Sequence, residues 1–74
     1  MNYDYSKLLG KITEIFGTRY NFAEAMDLSE RSISNKLNNK VPWKQTEISK
    51  ALKILSIDPK EIQDYFFKYK VQDI

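Results

Sequence analysis

A chain of 74 residues with no cysteine and no histidine has room for one small domain, and it excludes disulfides, thiolate chemistry and the usual zinc ligand sets. No apolar run approaches the roughly 18 residues that a membrane-spanning helix needs, and the N-terminal residues lack the layout of a signal peptide. The net charge of +2 is too small to identify a partner. We therefore expect one cytoplasmic domain over residues 1–74, with no metal, cofactor, membrane or small-molecule substrate.

The positive charge is concentrated in the middle third of the chain. Residues 30–53 carry six basic and two acidic side chains, a net charge of +4, whereas the segments before and after them each carry −1. A local excess of this kind is typical of a surface that contacts nucleic-acid phosphates. Lysines that only solvate two helices are the competing explanation.

Apolar residues recur at spacings of three and four along the chain, and only two glycines and two prolines interrupt it. This periodicity predicts an all-α domain. Capping side chains precede four of the five predicted helices: Asp4, Thr18, Ser29 and Asp58. The predicted helices cover residues 5–16, 19–26, 30–39, 44–55 and 59–68.

The third helix is unusually polar. Ile33 and Leu37 are its only strongly apolar residues, and they define one narrow buried edge. Arg31, Asn35 and Asn38 lie roughly 140–200° away from Ile33 around the helix, so they point to solvent. A helix of this composition is better explained as a binding surface than as a core element.

Residues 22–39, with the sequence FAEAMDLSERSISNKLNN, place two short helices on either side of a tight break. Ala23 is small where the two helices meet, Leu28 fills the turn, and Ile33 anchors the second helix. This spacing is typical of a helix-turn-helix, in which a bulky residue in place of Ala23 would push the helices apart.

The segments FGTRYNFAEAMDLSERSISNKLNNK and WKQTEISKALKILSIDPKEI resemble the lambdoid phage Cro and repressor-like helix-turn-helix family. The whole sequence is similar to a small phage regulator from a low-GC Gram-positive host. The resemblance covers nearly all of the chain and implies a compact five-helix, lambda-repressor-like DNA-binding domain with the helix-turn-helix at helices 2 and 3.

Two residues depart from the pattern of that family. Asp27 stands where glycine is usual because the backbone needs a positive φ, and aspartate is tolerated there at a cost of roughly 1 kcal/mol. Lys36 stands where an apolar residue is frequent, and we expect its aliphatic stem to extend over the edge of the core.

The resemblance implies that the N-terminal half of the third helix reads the major groove. The matched positions that face base edges are Glu30, Arg31, Ser32, Ser34 and Asn35. Arg31 suits guanine and Asn35 suits adenine, each with about 1–3 kcal/mol of discrimination. Glu30 has an alternative role as a partner of the helix dipole.

Phosphate contacts are expected at the start of the second helix, whose free backbone N–H groups and dipole favour an anion. The resemblance implies further phosphate contacts at the end of the reading helix. The candidates are Thr18, Arg19, Tyr20, Asn21, Asn38, Lys40 and Lys44. For the lysines, solvated surface charge is an almost equal alternative.

These features predict a sequence-specific regulator that occupies a double-stranded DNA operator and blocks polymerase. One module makes few base contacts, so we expect a weak homodimer on a palindromic operator, formed in solution or only on DNA. Phe67, Val71 and Ile74 are candidates for its self-contact, although they are equally suited to covering the first helix.

The alternative is a helix-turn-helix module that binds protein, such as an antirepressor or adaptor. In that case the C-terminal aromatic residues form the protein-binding surface, and the positive charge of residues 30–53 has no role in binding. Enzyme activity is not expected, because no glycine-rich phosphate loop follows a strand and the carboxylate pairs have surface-type spacing.

Overall fold

The computed structural model of the protein describes residues 2–71. Five α-helices follow one another within these residues. They are α1 (Ser6–Phe16), α2 (Arg19–Met26), α3 (Glu30–Leu37), α4 (Gln45–Ile54) and α5 (Ile62–Phe66). The predicted all-α, five-helix fold is confirmed, and the first four helices begin and end within two residues of their predicted limits.

The helix starts depend on side chains that satisfy backbone N–H groups left open by the first turn. All four predicted capping residues accept such a hydrogen bond: Thr18 from Asn21 (3.1 Å), Ser29 from Ser32 (3.0 Å), Asp4 from Ser6 (2.9 Å) and Asp58 from Lys60 (2.9 Å). Short-range side-chain chemistry therefore sets where these elements begin.

The joint between α2 and α3 has the backbone that the sequence predicts. Asp27 adopts the left-handed conformation, with φ 60° and ψ 41°, and its N–H donates to the carbonyls of Ala23 and Glu24. The Leu28 N–H donates to the Ala23 carbonyl at 2.9 Å. Ala23 is only 1% exposed, so a larger side chain would force the two helices apart.

The fifth helix is shorter than predicted. Pro59–Glu61 forms a 3₁₀ turn, and regular α-helix extends only from Ile62 to Phe66. The prediction that it continues to Lys68 is wrong, because residues 68–70 form backbone hydrogen bonds with the N-terminal segment instead.

We call residues 2–4 and 68–70 the terminal ribbon. The Asp4 N–H donates to the Lys68 carbonyl at 2.6 Å, and the Lys70 N–H donates to the Asn2 carbonyl at 3.2 Å. Between these bonds Tyr3 and Tyr69 form an isolated antiparallel bridge, and their rings stack with centroids 5.3 Å apart. The ribbon joins the two ends of the described chain.

Side chains from all five helices form the core. Its largest fully buried side chains are Leu8, Ile12, Phe22, Ile33, Leu55 and Phe66. α3 contributes to this core with one edge only, so its remaining faces are available at the surface. No helix among residues 2–71 combines the length and the apolar character that crossing a membrane requires.

Candidate recognition surface

The polar face of α3 is turned to solvent because its apolar residues point inward. Ile33 is fully buried and Leu37 is 9% exposed. The five predicted base-reading residues lie in the first two turns of this one helix. Two of them are exposed, Glu30 and Arg31, and three are half-buried, Ser32, Ser34 and Asn35.

The two side chains expected to discriminate bases have no polar partner in the described part of the fold. Within residues 2–71, neither Arg31 nor Asn35 makes a side-chain hydrogen bond or an ion pair. The backbone of Asn35 does have a structural role, since its carbonyl accepts the N–H groups of Lys40 at 2.9 Å and Val41 at 3.3 Å. The fold thus positions α3 while the side chains of Arg31 and Asn35 have no polar partner among residues 2–71.

The start of α2 has a partly structural role. Thr18 accepts the N–H of Asn21, and the Asn21 amide donates to the Phe16 carbonyl at 3.0 Å. Arg19 is half-buried and Tyr20 is 56% exposed. Of the four phosphate-binding candidates here, Thr18 and Asn21 therefore already stabilise the helix end.

A hollow of about 240 Å³ brings together two predicted phosphate-binding residues that are distant in sequence, Arg19 and Asn38. Lys70 of the terminal ribbon and the carboxylate of Asp4 also line it. Sequence reasoning did not assign Lys70 to this group, because its position depends on the ribbon. The other two candidates lie exposed in the α3–α4 connection: Lys40 and Lys44.

Lys36 is buried, contrary to the expectation that its stem would extend over the core edge. It is 3% exposed, and its Nζ lies 2.9 Å from Oε1 of Glu47 and 3.2 Å from the Pro42 carbonyl. Burial opposes ionisation of the carboxylate, but hydrogen bonds from the Lys44 N–H and from Lys36 outweigh it, and the pKa of Glu47 is lowered. This ion pair links α3 to the first turn of α4.

Asn39 connects the end of α3 to the terminal ribbon. Its Oδ1 accepts the Tyr3 N–H at 2.9 Å, and its Nδ2 donates to the Tyr3 carbonyl at 3.0 Å. Its own backbone is left-handed, with φ 62°. The sequence indicated only that Asn39 ends the helix, because the pairing with Tyr3 spans 36 residues.

The C-terminal aromatic residues are less exposed than the protein-binding alternative assumed. Phe66 is 2% exposed and Phe67 is half-buried, whereas Tyr69 is 54% exposed. Of the residues proposed for self-contact, Phe67 packs against the core and Val71 is 87% exposed. Ile74 lies outside the described residues, and the homodimer stays a prediction.

This chain is similar to proteins in a described family and to a solved structure. A family described as "Protein of unknown function (DUF739)" matches residues 1–69. The solution structure of the modulator of repression (MOR) of the temperate bacteriophage TP901-1 from Lactococcus lactis is 61% identical, covers 97% of each chain and superposes with a TM-score of 0.81. No curated protein matches. The similarity to a phage regulator agrees with the coarser part of the resemblance, and it does not identify a Cro protein or a repressor.

Proposed function

This chain belongs to the DUF739 family, and we propose that it is a temperate-phage regulator that modulates repression by binding a protein partner, the phage repressor. The observation that carries this proposal is 61% identity over 97% of the chain to a modulator of repression. A modulator acts on repression that already exists, so a repressor is its most direct target. Such a regulator works in the cytoplasm of the bacterial host and requires no catalytic activity.

The side chains of α3 and of the start of α2 favour a protein partner over operator binding by this chain alone. Arg31 is the single exposed cation of α3, and it follows Glu30. Thr18 and Asn21 already satisfy backbone groups at the helix end. A chain that makes few contacts to bases and phosphates gains sequence specificity when it binds a partner protein that recognises the operator.

The test uses the purified chain, the repressor of the phage that encodes it, and labelled operator DNA. We expect size-exclusion chromatography with light scattering to show a stable complex of the chain with the repressor. We also expect the chain to change the operator occupancy of the repressor in a mobility-shift titration, while the chain alone binds operator no better than random duplex.

Two results would overturn this proposal. If the chain forms no complex with the repressor, it does not act by binding that protein. Tight, site-specific operator binding by the chain alone would show that its function is direct DNA recognition.

Direct DNA recognition is the second candidate, and the side chains of Arg31 and Asn35 favour it because nothing in residues 2–71 occupies them. In this candidate a weak homodimer on a palindromic operator supplies the missing contacts. Selection of the sequences that the chain binds from a pool of random duplexes identifies the operator site. Arg31→Ala and Asn35→Ala should then lose site preference, while Lys60→Ala, on the 3₁₀ turn, should keep it.

A further inference from the structure

A groove of about 560 Å³ lies between α4 and α5. Its apolar walls are formed by Trp43, Ile48, Leu52, Ile62 and Phe67. Ile48 is buried at 9% exposure, and the other four side chains are half-buried against the core. The walls are therefore held by core packing and still present apolar surface to solvent.

Three lysines lie next to groove-lining residues along the chain or one helical turn away. Lys44 follows Trp43 in the chain, Lys68 follows Phe67, and Lys53 lies one helical turn after Ser49, which also lines the groove. All three lysines are exposed.

Two carboxylates lie within electrostatic reach of these lysines, and each is shared with a second lysine: Asp4 interacts with Lys68 and Lys70, and Glu47 with Lys44 and Lys36, so a positive excess remains. Glu61 precedes the wall residue Ile62 and is exposed, whereas Glu47 is held by Lys36 in the buried ion pair. The charge at the margin complements a partner that places acidic residues beside an apolar stripe.

We propose that this groove binds an amphipathic helix of the partner repressor, with apolar side chains in the groove and acidic residues against the lysines. The inference rests on the protein-binding function proposed above. A helix laid in a groove is a common way to bury apolar side chains at spacings of three and four. Among the described residues, none of those that line the groove belongs to the terminal ribbon, so an added strand has no bridged backbone edge to join there.

A second copy of this chain is a poorer occupant. In a two-fold dimer the same surface contacts itself, so the lysines of one groove margin would approach those of the other. Like charges brought together at an interface oppose association. The positive charge beside the groove therefore favours binding of an acidic partner and opposes association of two copies of this chain.

Two charge-matched variants on α4 test the proposal. Ser49 is exposed and lines the groove, and Thr46 is exposed on the same helix without lining it. Ser49→Glu and Thr46→Glu each add one negative charge to an exposed helical position, which tolerates glutamate well. Circular dichroism should show that both variants remain folded.

Binding to the phage repressor is measured by isothermal titration calorimetry, and the fluorescence of Trp43 provides a second readout because it is the only tryptophan of the chain. We expect Ser49→Glu to weaken binding at least tenfold and Thr46→Glu to change it less than threefold. Repressor binding should also perturb the emission of Trp43 in a tryptophan-free repressor background.

The outcomes separate this inference from the proposed function. Equal binding by wild type, Ser49→Glu and Thr46→Glu overturns the groove assignment and leaves repressor binding intact. No repressor binding by the wild type removes the proposed function itself. A wild-type dimer that Ser49→Glu converts to monomer assigns the groove to a second copy and also overturns the inference.

Discussion

Asn39 combines a backbone requirement with a long-range contact. Its left-handed φ of 62° is one that asparagine tolerates better than most residues, and its amide satisfies both polar backbone groups of Tyr3. Alanine at this position would lose the two hydrogen bonds and would be strained in the left-handed conformation.

We predict that Asn39→Ala lowers the free energy of unfolding by about 2 kcal/mol, measured by urea denaturation. Asn39→Gly is the matched control, because glycine accepts the left-handed backbone while it also removes the amide. We expect the glycine variant to be less destabilised than the alanine variant. Equal stability of wild type and Asn39→Ala would show that the contact with Tyr3 contributes nothing net.

The Lys36–Glu47 pair predicts how stability depends on pH. Glu47 has an ordinary pKa of 4.5, and its pKa in the folded protein is lower. The folded state therefore binds the proton of Glu47 less readily than the unfolded state does, and this contribution to stability is complete above pH 4.5. It is lost as the pH falls through the lower, folded pKa.

We predict that wild type loses more stability than Glu47→Gln when urea denaturation at pH 7 is compared with denaturation below pH 4.5. At pH 7 the variant should be less stable by roughly 3 kcal/mol, because Lys36 is left buried without its anion. Asp4, whose pKa is also lowered by its hydrogen bonds with Ser6, is present in both proteins and cancels in the comparison. Parallel pH profiles would contradict the assignment.

At the scale of elements, most helices could be predicted because their determinants are local. Thr18 and Ser29 cap α2 and α3 in the way their positions indicate, and Asp27 adopts the positive φ that the turn requires. The polar face of α3 also follows from helical geometry alone, since Ile33 and Leu37 fix its rotation. Whether Arg31 and Asn35 contact DNA stays a prediction.

The features that sequence reasoning missed depend on contacts between distant residues. The ion pair of Lys36 joins it to a residue beyond the α3–α4 connection, and the terminal ribbon joins the two ends of the chain. Alternating aromatic residues were the available signal for the ribbon, as at Phe67 and Tyr69. The groove had no such signal, because it exists only once α4 and α5 are placed together.

The ribbon yields a prediction for a pair of side chains. Tyr3 and Tyr69 stack with 19° between their ring planes, and cross-strand aromatic pairs stabilise a bridge. A double-mutant cycle of Tyr3→Ala and Tyr69→Ala, followed by urea denaturation, should give a coupling energy of about 1 kcal/mol. The same cycle with Tyr20→Ala in place of Tyr69→Ala should give none. A coupling near zero for the stacked pair would contradict the ribbon.

At the scale of the whole molecule, the central positive charge remains on the surface. Pairing of Lys36 with Glu47 removes one charge of each sign, so the excess of +4 in residues 30–53 is unchanged. Its exposed cations are Arg31, Lys40, Lys44, Lys50 and Lys53.

We predict weak binding to random duplex DNA that declines as salt rises, measured by fluorescence anisotropy. Lys40→Ala and Lys44→Ala should each reduce the slope of log affinity against log salt by about 0.9 if the side chain neutralises one phosphate. Lys60→Ala, outside residues 30–53, should leave the slope unchanged. No binding even at low salt would refute a phosphate-contacting surface.

The terminal ribbon has a consequence for biosynthesis. Residues 68–70 are made after all five helices, so Tyr3 has no bridge partner while the helices are being translated. Closure of the ribbon has to follow synthesis of its second half, because its backbone hydrogen bonds join residues from opposite ends of the described chain. The amide of Asn39 is available to hold the N-terminal segment in place during that interval. Completion of the fold is therefore coupled to synthesis of residues 68–70, and a product that terminates before them lacks the closed ribbon.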